Sequence, residues 1–257
     1  MVYIKKSAKS FKKKRTFRKK VSKVPLAIKS YVKKALHVNI ENKVLTSYAA
    51  NQSINVAVSN VPSWINLMPV VSAGIGSGNR IGDEINVVKA YIRGRINILP
   101  YNVTTNPLSP VLVKMWLVSH RRINSNQLTD TDISTTFFTI NNGTIGFQGN
   151  MLDMIFTPNL DSWKIYKTKS FELGSSSSSG TTGSAGTYFD NSAMTVPFYF
   201  EYAKHVGKVK YLNGASVPQN KNLFLVIQVI TADGSSSASS IQPAESHFVS
   251  RIEFEDA

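Results

Sequence analysis

Basic residues make the N-terminal segment the most chemically distinctive part of the sequence. Fourteen of the 30 Lys and Arg residues fall within residues 1–34, and the first acidic residue is Glu41. A lysine-rich segment of this kind binds nucleic acid by neutralising phosphates and releasing counterions, whatever the base sequence. The side chains predicted to bind nucleic acid here are Lys5, Lys6, Lys9, Lys12, Lys13, Lys14, Arg15, Arg18, Lys19, Lys20, Lys23, Phe11 and Phe17.

Three aromatic residues, Tyr3, Phe11 and Phe17, are interspersed among these bases. They either stack on unpaired bases or are incidental residues of a tail, and the pattern leaves both readings open. Because they follow neither a helical nor a strand period, the segment has no apolar face to bury, and we predict disorder over residues 1–24. The missing apolar face disfavours a membrane partner, whereas recognition by nuclear-import machinery is compatible with the basic run.

A second set of bases lies on a predicted strand over residues 80–99. Alternation places Val88, Ala90, Ile92, Gly94, Ile96 and Ile98 on one face and Lys89, Tyr91, Arg93, Arg95 and Asn97 on the other. Lys89, Arg93 and Arg95 are therefore further candidates for binding nucleic acid. The alternatives are ion pairs at a subunit interface or a solvated face. Just before them, Asp83 and Glu84 either bind a cation at a subunit contact or are ordinary turn residues, which the preceding glycine favours.

Catalytic and cofactor-binding patterns are missing from the sequence. The four His residues are far apart and show no metal-ligand spacing, and Cys is absent. The glycine-rich stretch 74–82 lacks the Gly-Lys-Ser/Thr of a phosphate loop and has Asn79 where a dinucleotide fingerprint requires its third glycine. We therefore expect no enzyme, no catalytic residue, no metal site and no cofactor.

The remainder of the chain is near neutral, since 30 − 14 = 16 bases face 15 acids, and its pattern has the period of two typical of β-strands. Residues 222–232 are apolar on both faces, which predicts a central strand covered by the core on one side and by a neighbouring element or subunit on the other. A short helix is predicted over 25–37 after Pro25, and Gly/Ser-rich surface loops over 174–186 and 233–242. The predicted strands are 43–58, 80–99, 111–119, 133–140, 163–172, 196–212, 222–232 and 246–254.

These elements predict an all-β protein: an eight-stranded jelly-roll sandwich with a disordered basic N-terminal arm and one short N-terminal helix. We predict a basic nucleic-acid-binding arm over residues 1–40 and a jelly-roll shell domain over residues 41–257. The main structural rival is an immunoglobulin-like sandwich, whose Cys-Trp-Cys pattern is impossible without cysteine.

The chain resembles the capsid proteins of circular, replication-initiator-encoding single-stranded DNA viruses, the group that includes circoviruses. The resemblance lies in the basic start, the stretch from Lys33 to Lys43, the run from Asn79 to Ile85 leading into Ile92–Ile96, and the segments Trp163–Phe171 and Ser250–Asp256. In order and spacing, these features span almost the whole chain.

The resemblance implies a capsid protein that self-assembles into an icosahedral T=1 shell of about 60 copies. It also implies arms that point inward onto circular single-stranded DNA, nuclear import during assembly in a host cell, and a final location in the virion. Two alternatives remain: a capsid protein of a small or satellite RNA virus, and, from another class, a non-viral β-sandwich binding module with a basic targeting tail.

Overall fold

The computed structural model describes residues 25, 27–31, 42–54, 62–98, 110–123, 128–141, 143–174, 195–231 and 243–256. The chain divides into two units, Met1–Ile40 and Glu41–Ala257. In the first unit, residues 27–31 form helix α1, and the backbone N–H groups of Ile28 and Lys29 donate to the carbonyl of Pro25 at 3.0 and 3.1 Å. The predicted helix is therefore confirmed over these residues. The rest of that helix, the predicted disorder over 1–24 and nearly all of both Gly/Ser-rich loops lie outside the described residues.

The second unit is built from antiparallel strands in two main sheets. Sheet A has the order β1-β11-β3-β8, with β9 also paired to β3, and sheet B has the order β2-β10-β4-β7. Strands β5 and β6 form a separate hairpin. The strands are β1 (Asn42–Ile54), β2 (Ser63–Asn66), β3 (Glu84–Ile98), β4 (Val111–His120), β5 (Phe138–Ile140), β6 (Gly143–Ile145), β7 (Trp163–Leu173), β8 (Thr195–Glu201), β9 (Lys208–Lys210), β10 (Phe224–Thr231) and β11 (Ala244–Asp256).

The strand order identifies the fold. When the eight principal strands are numbered in chain order, leaving aside β5, β6 and β9, sheet A reads 1-8-3-6 and sheet B reads 2-7-4-5. The chain thus crosses between the sheets repeatedly, and its first and last strands pair along almost their whole length. This arrangement is a double-sheet jelly roll, which confirms the predicted fold class.

Two of the predicted strands are wrong in detail. Residues 133–136 belong to helix α2 (Asp130–Thr136), and only residues 138–140 form a strand, β5. A capping box explains the helix, because the Thr129 hydroxyl accepts from the Asp132 N–H while the Asp132 carboxylate accepts from the Thr129 N–H at 2.8 Å. The predicted strand 196–212 is divided into β8 and β9 by helix α4 (Ala203–Val206). Strand β2 was missed because its four residues lie between the chain-breaking Pro62 and Pro69.

The main core lies between the two sheets. Sheet A contributes buried residues such as Ile92, Ile96 and Phe200, and sheet B contributes Met115 and Leu117 among others. Burial of this apolar surface is what stabilises a sandwich without disulfides. None of the helices that the structure describes is both long enough and apolar enough to span a membrane.

A second core covers the opposite face of sheet B. Trp116 and Phe224 from this face pack against Phe137, Phe138 and Phe147, which lie in the segment between β4 and β7. The ring centroids of Trp116 lie 5.5 to 6.1 Å from those of the three phenylalanines. The expected cover of residues 222–232 is therefore an element of this chain, and their two-sided apolarity is explained without a second subunit.

A buried carboxylate fixes this covering segment to sheet B. Asp153, in helix α3 (Leu152–Ile155), accepts from the backbone N–H groups of Gln148 and Gly149 at 2.8 and 2.7 Å and from Gln228 Nε2 of β10 at 2.8 Å. Burial raises the pKa of Asp153, while these three hydrogen bonds oppose the rise. Because its acceptor sites are filled by donors from both elements, the carboxylate joins the cover to the centre of the sheet.

Candidate nucleic-acid interface

The face of sheet A that points away from the main core carries the predicted basic side chains of β3. Lys89, Arg93 and Arg95 are exposed on this face and Tyr91 is half-buried, whereas Ala90, Ile92 and Ile96 face the core. The predicted alternation is wrong at Val88, which is 44% exposed while Val87 is buried. The pairing of β3 with β11 shifts register here, from Glu253 opposite Lys89 to Phe254 opposite Val87. The extra residue of this β-bulge turns Val88 outward.

Cross-strand register builds a mixed aromatic and basic row across this face. Tyr48 of β1 lies opposite Val249 of β11, Val249 lies opposite Arg93 of β3, and Arg93 lies opposite Tyr199 of β8. Tyr48 is 81% exposed and Tyr199 is 48% exposed. With neighbouring strands about 4.8 Å apart, the four-strand row spans roughly 14 Å. We call the outer face of sheet A around this row the Tyr–Arg face.

Two further rows extend the Tyr–Arg face on either side. In one, His247 of β11 and Pro197 of β8 flank Arg95; in the other, Arg251 and Glu201 flank Tyr91. The rings of Tyr91 and Tyr199 lie 5.8 Å apart at an angle of 34°. The face therefore presents tyrosine rings and guanidinium groups side by side.

The bases on this face differ in whether a carboxylate already neutralises them. Lys89 Nζ lies 3.1 Å from Glu253 Oε2, and Arg251 Nη2 lies 3.1 Å from Glu253 Oε1. His247 Nε2 contacts Glu245 Oε1 at 2.9 Å. Neither Arg93 nor Arg95 has an ion pair with a carboxylate among the residues that the structure describes. These two are the bases best placed to meet an anion from outside the chain.

A glycine lies beneath the centre of the Tyr–Arg face, on the core side of β3. A Cβ atom at Gly94 would lie 2.3 Å from the His247 carbonyl oxygen and 2.6 Å from the Phe198 ring, so this position admits no side chain. The ring of Phe198, which is paired with Gly94 across the sheet, is only 3% exposed. Around these residues lies an open concavity of about 870 Å³ that is lined by Tyr48, Arg93, Arg95, His247 and others.

This combination of groups has a defined chemical use. Exposed aromatic rings stack on unpaired bases, each for about 1–3 kcal/mol, and nearby cations follow the phosphate backbone without reading its sequence. The alternation in β3 was enough to predict that Arg93 and Arg95 lie on this exposed face, and their binding of nucleic acid stays a prediction. Tyr48, Tyr199, Arg251 and His247 were missed because only the strand order brings β1, β8 and β11 beside β3. The alternation Phe198-Tyr199-Phe200 was a local signal that Tyr199 points outward.

The residues predicted to bind nucleic acid in the N-terminal segment, from Lys5 to Lys23 with Phe11 and Phe17, all lie outside the described residues. Their role stays a prediction.

The acidic residues that precede β3 are engaged by bases of this chain. Asp83 Oδ1 lies 3.2 Å from Arg80 Nη1. Glu84 Oε1 lies 2.9 Å from Lys210 Nζ, and its other oxygen contacts Lys208. Hydrogen bonds from these two lysines lower the pKa of Glu84. Among the described residues there is no group of three or more potential ligands that could hold a metal ion.

The stretch from Asn79 to Ile85 has a structural role through Arg80. This side chain is buried, and Nη2 donates to the carbonyls of Leu212 and Ala215 at 3.2 and 2.7 Å. Its guanidinium carbon lies 4.5 Å from the centre of the Tyr211 ring. Arg80 therefore joins the turn before β3 to the loop after β9.

Comparison with known proteins gives a likeness only at the level of three-dimensional structure. No protein-family profile matches the chain, and no curated protein matches it. Chains from solved structures of three viruses are similar to it. The chain from Desmodium yellow mottle tymovirus is 11% identical with a TM-score of 0.33, and the match covers 84% of this chain and 87% of that chain. For turnip yellow mosaic virus the identity is 11%, the TM-score 0.32 and the coverage 84% of this chain and 92% of that chain, and for mud crab tombus-like virus the identity is 12%, the TM-score 0.31 and the coverage 85% and 89%. These TM-scores are too low to carry an argument, so the fold assignment rests on the strand order alone.

Proposed function

We propose that this protein is a viral capsid protein whose copies assemble into a small icosahedral shell around a single-stranded genome. The observation that carries the proposal is the jelly-roll strand order in a body preceded by fourteen bases and no acid. The jelly roll is a common subunit of viral shells, and a sequence-independent polycation suits a protein that must accept every stretch of its genome. In this proposal the role is structural and not enzymatic.

The N-terminal bases supply the main charge for packaging. If about 60 arms line one shell, each with its fourteen bases, they contribute on the order of 840 positive charges against about one negative charge per nucleotide. The Tyr–Arg face adds a second contact in which Arg93 and Arg95 meet phosphates and the exposed tyrosines stack on bases. Lys89 contributes less, because Glu253, which it shares with Arg251, offsets part of its charge.

The genome type divides the proposal into two forms. The resemblance of the sequence to capsid proteins of circular single-stranded DNA viruses favours DNA, with assembly in the host nucleus and import through the basic arm. The second form is the RNA alternative, in which the shell packages a single-stranded RNA genome through the same basic arm. Digesting the nucleic acid extracted from purified particles with DNase or RNase decides between the two.

Particle formation tests the proposal itself. Purified protein at moderate salt is expected to elute at the size of a shell and to show round particles in negative stain. A non-viral binding module with a basic tail would stay a monomer or small oligomer with or without nucleic acid. That result would remove the capsid proposal, because the two-sided apolarity of β10 is satisfied within one chain and offers it no independent support.

Deletion of residues 1–34 tests the division of labour within the chain. The truncated protein is expected to fold and assemble but to lose most of its nucleic acid, seen as a lower ratio of absorbance at 260 nm to that at 280 nm. Packaging that is unchanged by the deletion would assign the main binding site to the jelly roll.

A further inference from the structure

A second basic cavity lies at one end of sheet B, away from the Tyr–Arg face. It has a volume of about 440 Å³ and is lined by the end of β4, the start of β7, helix α4 and the residues just before β10. The side chains that matter for its chemistry are Arg121, Arg122, Lys164, Tyr166, His205 and Lys221. We call it the β4–β7 cavity.

Positive charge in the β4–β7 cavity is not balanced by its own walls. Among the described residues, no acidic residue lines the cavity. Within the same part of the chain, none of the side chains of Arg121, Arg122 and Lys164 forms an ion pair. Several other lysines of the jelly roll do have a carboxylate partner, since Lys43 pairs with Asp256 and both Lys208 and Lys210 pair with Glu84. Like charges that converge without a counter-charge raise the potential of a concave site and attract an anion to it.

The cavity wall is fixed before any ligand arrives. Asn222 Oδ1 accepts from the His120 N–H at 2.6 Å, and Asn222 Nδ2 donates to the His120 carbonyl at 2.9 Å. The ring of His120 in turn accepts at Nδ1 from the backbone N–H groups of Arg122 and Ile123, at 3.2 and 3.1 Å. These bonds hold the turn that carries Arg121 and Arg122. Burial lowers the pKa of His120, which suits its role as an acceptor.

An aromatic pair forms another wall. The rings of Tyr166 and His205 are stacked with centroids 4.0 Å apart, and Lys164 Nζ lies 4.9 Å from the centre of the Tyr166 ring. Burial first, and then the neighbouring Lys204 and Lys164, lower the pKa of His205, so its imidazole favours the neutral form. Flat rings beside unpaired cations match a ligand with both a planar and an anionic part.

We propose that the β4–β7 cavity binds one nucleotide, with the guanidinium groups of Arg121 and Arg122 and the ammonium group of Lys164 on its phosphate and the Tyr166–His205 pair against its base. Arginine is suited to this because its planar fork donates two hydrogen bonds to one phosphate. The site consists of residues of a single chain, so it does not depend on shell assembly. The nucleotide comes either from a nucleic-acid strand or from the free pool.

The test is equilibrium dialysis of the full-length protein against labelled thymidine monophosphate, with thymidine as the ligand that lacks a phosphate. Wild-type protein is expected to show one saturable nucleotide site per chain and no saturable binding of thymidine. The double variant Arg121→Gln and Arg122→Gln is expected to bind at least tenfold more weakly, because it loses charge-assisted hydrogen bonds to the phosphate. Both positions are exposed, and circular dichroism checks that the variant is folded.

The matched control is Lys208→Gln with Lys210→Gln, which removes the same charge from exposed lysines on β9. It is expected to leave the saturable site unchanged. Equal loss in the control and the cavity variant, or no saturable site in the wild type, would overturn the proposal. Repeating the dialysis with a short oligothymidylate identifies the source of the nucleotide. If the oligothymidylate binds more tightly than thymidine monophosphate, and this binding is lost in the Arg121→Gln, Arg122→Gln variant, the site holds a nucleotide of a strand. Equal affinity for the two ligands indicates a free nucleotide.

Discussion

The two sheets of the jelly roll share one core but differ on their outer faces. The outer face of sheet B is covered by the segment between β4 and β7, which brings Phe137, Phe138 and Phe147 onto Trp116. The outer face of sheet A instead leaves Tyr48 and Arg93 exposed. Within the described part of the chain, the segment between β4 and β7 is therefore what makes the two outer faces differ.

The comparison also shows what an apolar strand indicates. All eight residues of β10 are buried, with Leu225 and Ile227 in the main core and Phe224 and Val226 in the second. The same apolar pattern would also suit a strand covered by a neighbouring subunit. Two-sided apolarity thus predicts a covered strand and says nothing about whether the cover belongs to the same chain.

The largest expected effect comes from opening the cover of sheet B. Phe137 is fully buried and its ring centroid lies 4.7 Å from that of Phe147 and 5.3 Å from that of Trp163. Phe137→Ala is expected to lower the free energy of unfolding by about 3–5 kcal/mol, because it leaves a cavity among aromatic rings. Urea unfolding followed by tryptophan fluorescence measures the change.

The matched variant on sheet A is Tyr48→Ala, which removes a ring of similar size from an exposed position. A surface substitution of this kind is expected to change stability by about 0.5 kcal/mol or less. Similar losses in the two variants would mean that the two outer faces are equally covered, and the contrast between the sheets would disappear.

The sequence pattern reached the fold class but not the elements that create this contrast. Period-two alternation located most of the long strands, because each has one face in the main core. The Thr129–Asp132 capping box was a readable helix signal, yet the β-branched residues that follow it hid the helix. Sheet pairing brings together residues up to about 200 positions apart in the row Tyr48, Val249, Arg93 and Tyr199. The local sequence pattern does not encode contacts over such separations.

The second prediction concerns the backbone beneath the Tyr–Arg face. Gly94→Ala is expected to lower the free energy of unfolding by about 1–3 kcal/mol, since the added methyl group meets the Phe198 ring and the His247 carbonyl and forces both to move. The measurement is again the urea midpoint. Val88→Ala, at the exposed bulge of the same strand, serves as the control and is expected to be nearly neutral. A neutral Gly94→Ala would show that β3 and β8 are not packed closely here.

The third prediction tests whether the exposed face of sheet A meets nucleic acid. Arg93→Gln with Arg95→Gln is expected to weaken binding of a single-stranded oligonucleotide and to reduce the slope of log K against log salt by about 1.4, because each lost phosphate contact contributes about 0.7. Fluorescence anisotropy over a salt series measures both quantities. The variant Lys208→Gln with Lys210→Gln loses the same charge on β9 and is expected to keep the wild-type slope. An unchanged slope in the arginine variant would mean that Arg93 and Arg95 make no phosphate contacts.

The smallest expected effect separates the paired and unpaired bases within that face. Lys89 is 68% exposed and lies 3.1 Å from Glu253, so solvent screens the pair, and Lys89→Gln is expected to cost about 0.2–0.5 kcal/mol of stability. Because Glu253 already offsets part of the charge of this lysine, the slope of log K against log salt for oligonucleotide binding is expected to change much less than in a single Arg93→Gln variant. An equal change of the slope in the two single variants would mean that the Lys89–Glu253 ion pair breaks when phosphate binds. Lys89 would then contribute to phosphate binding as much as Arg93 does.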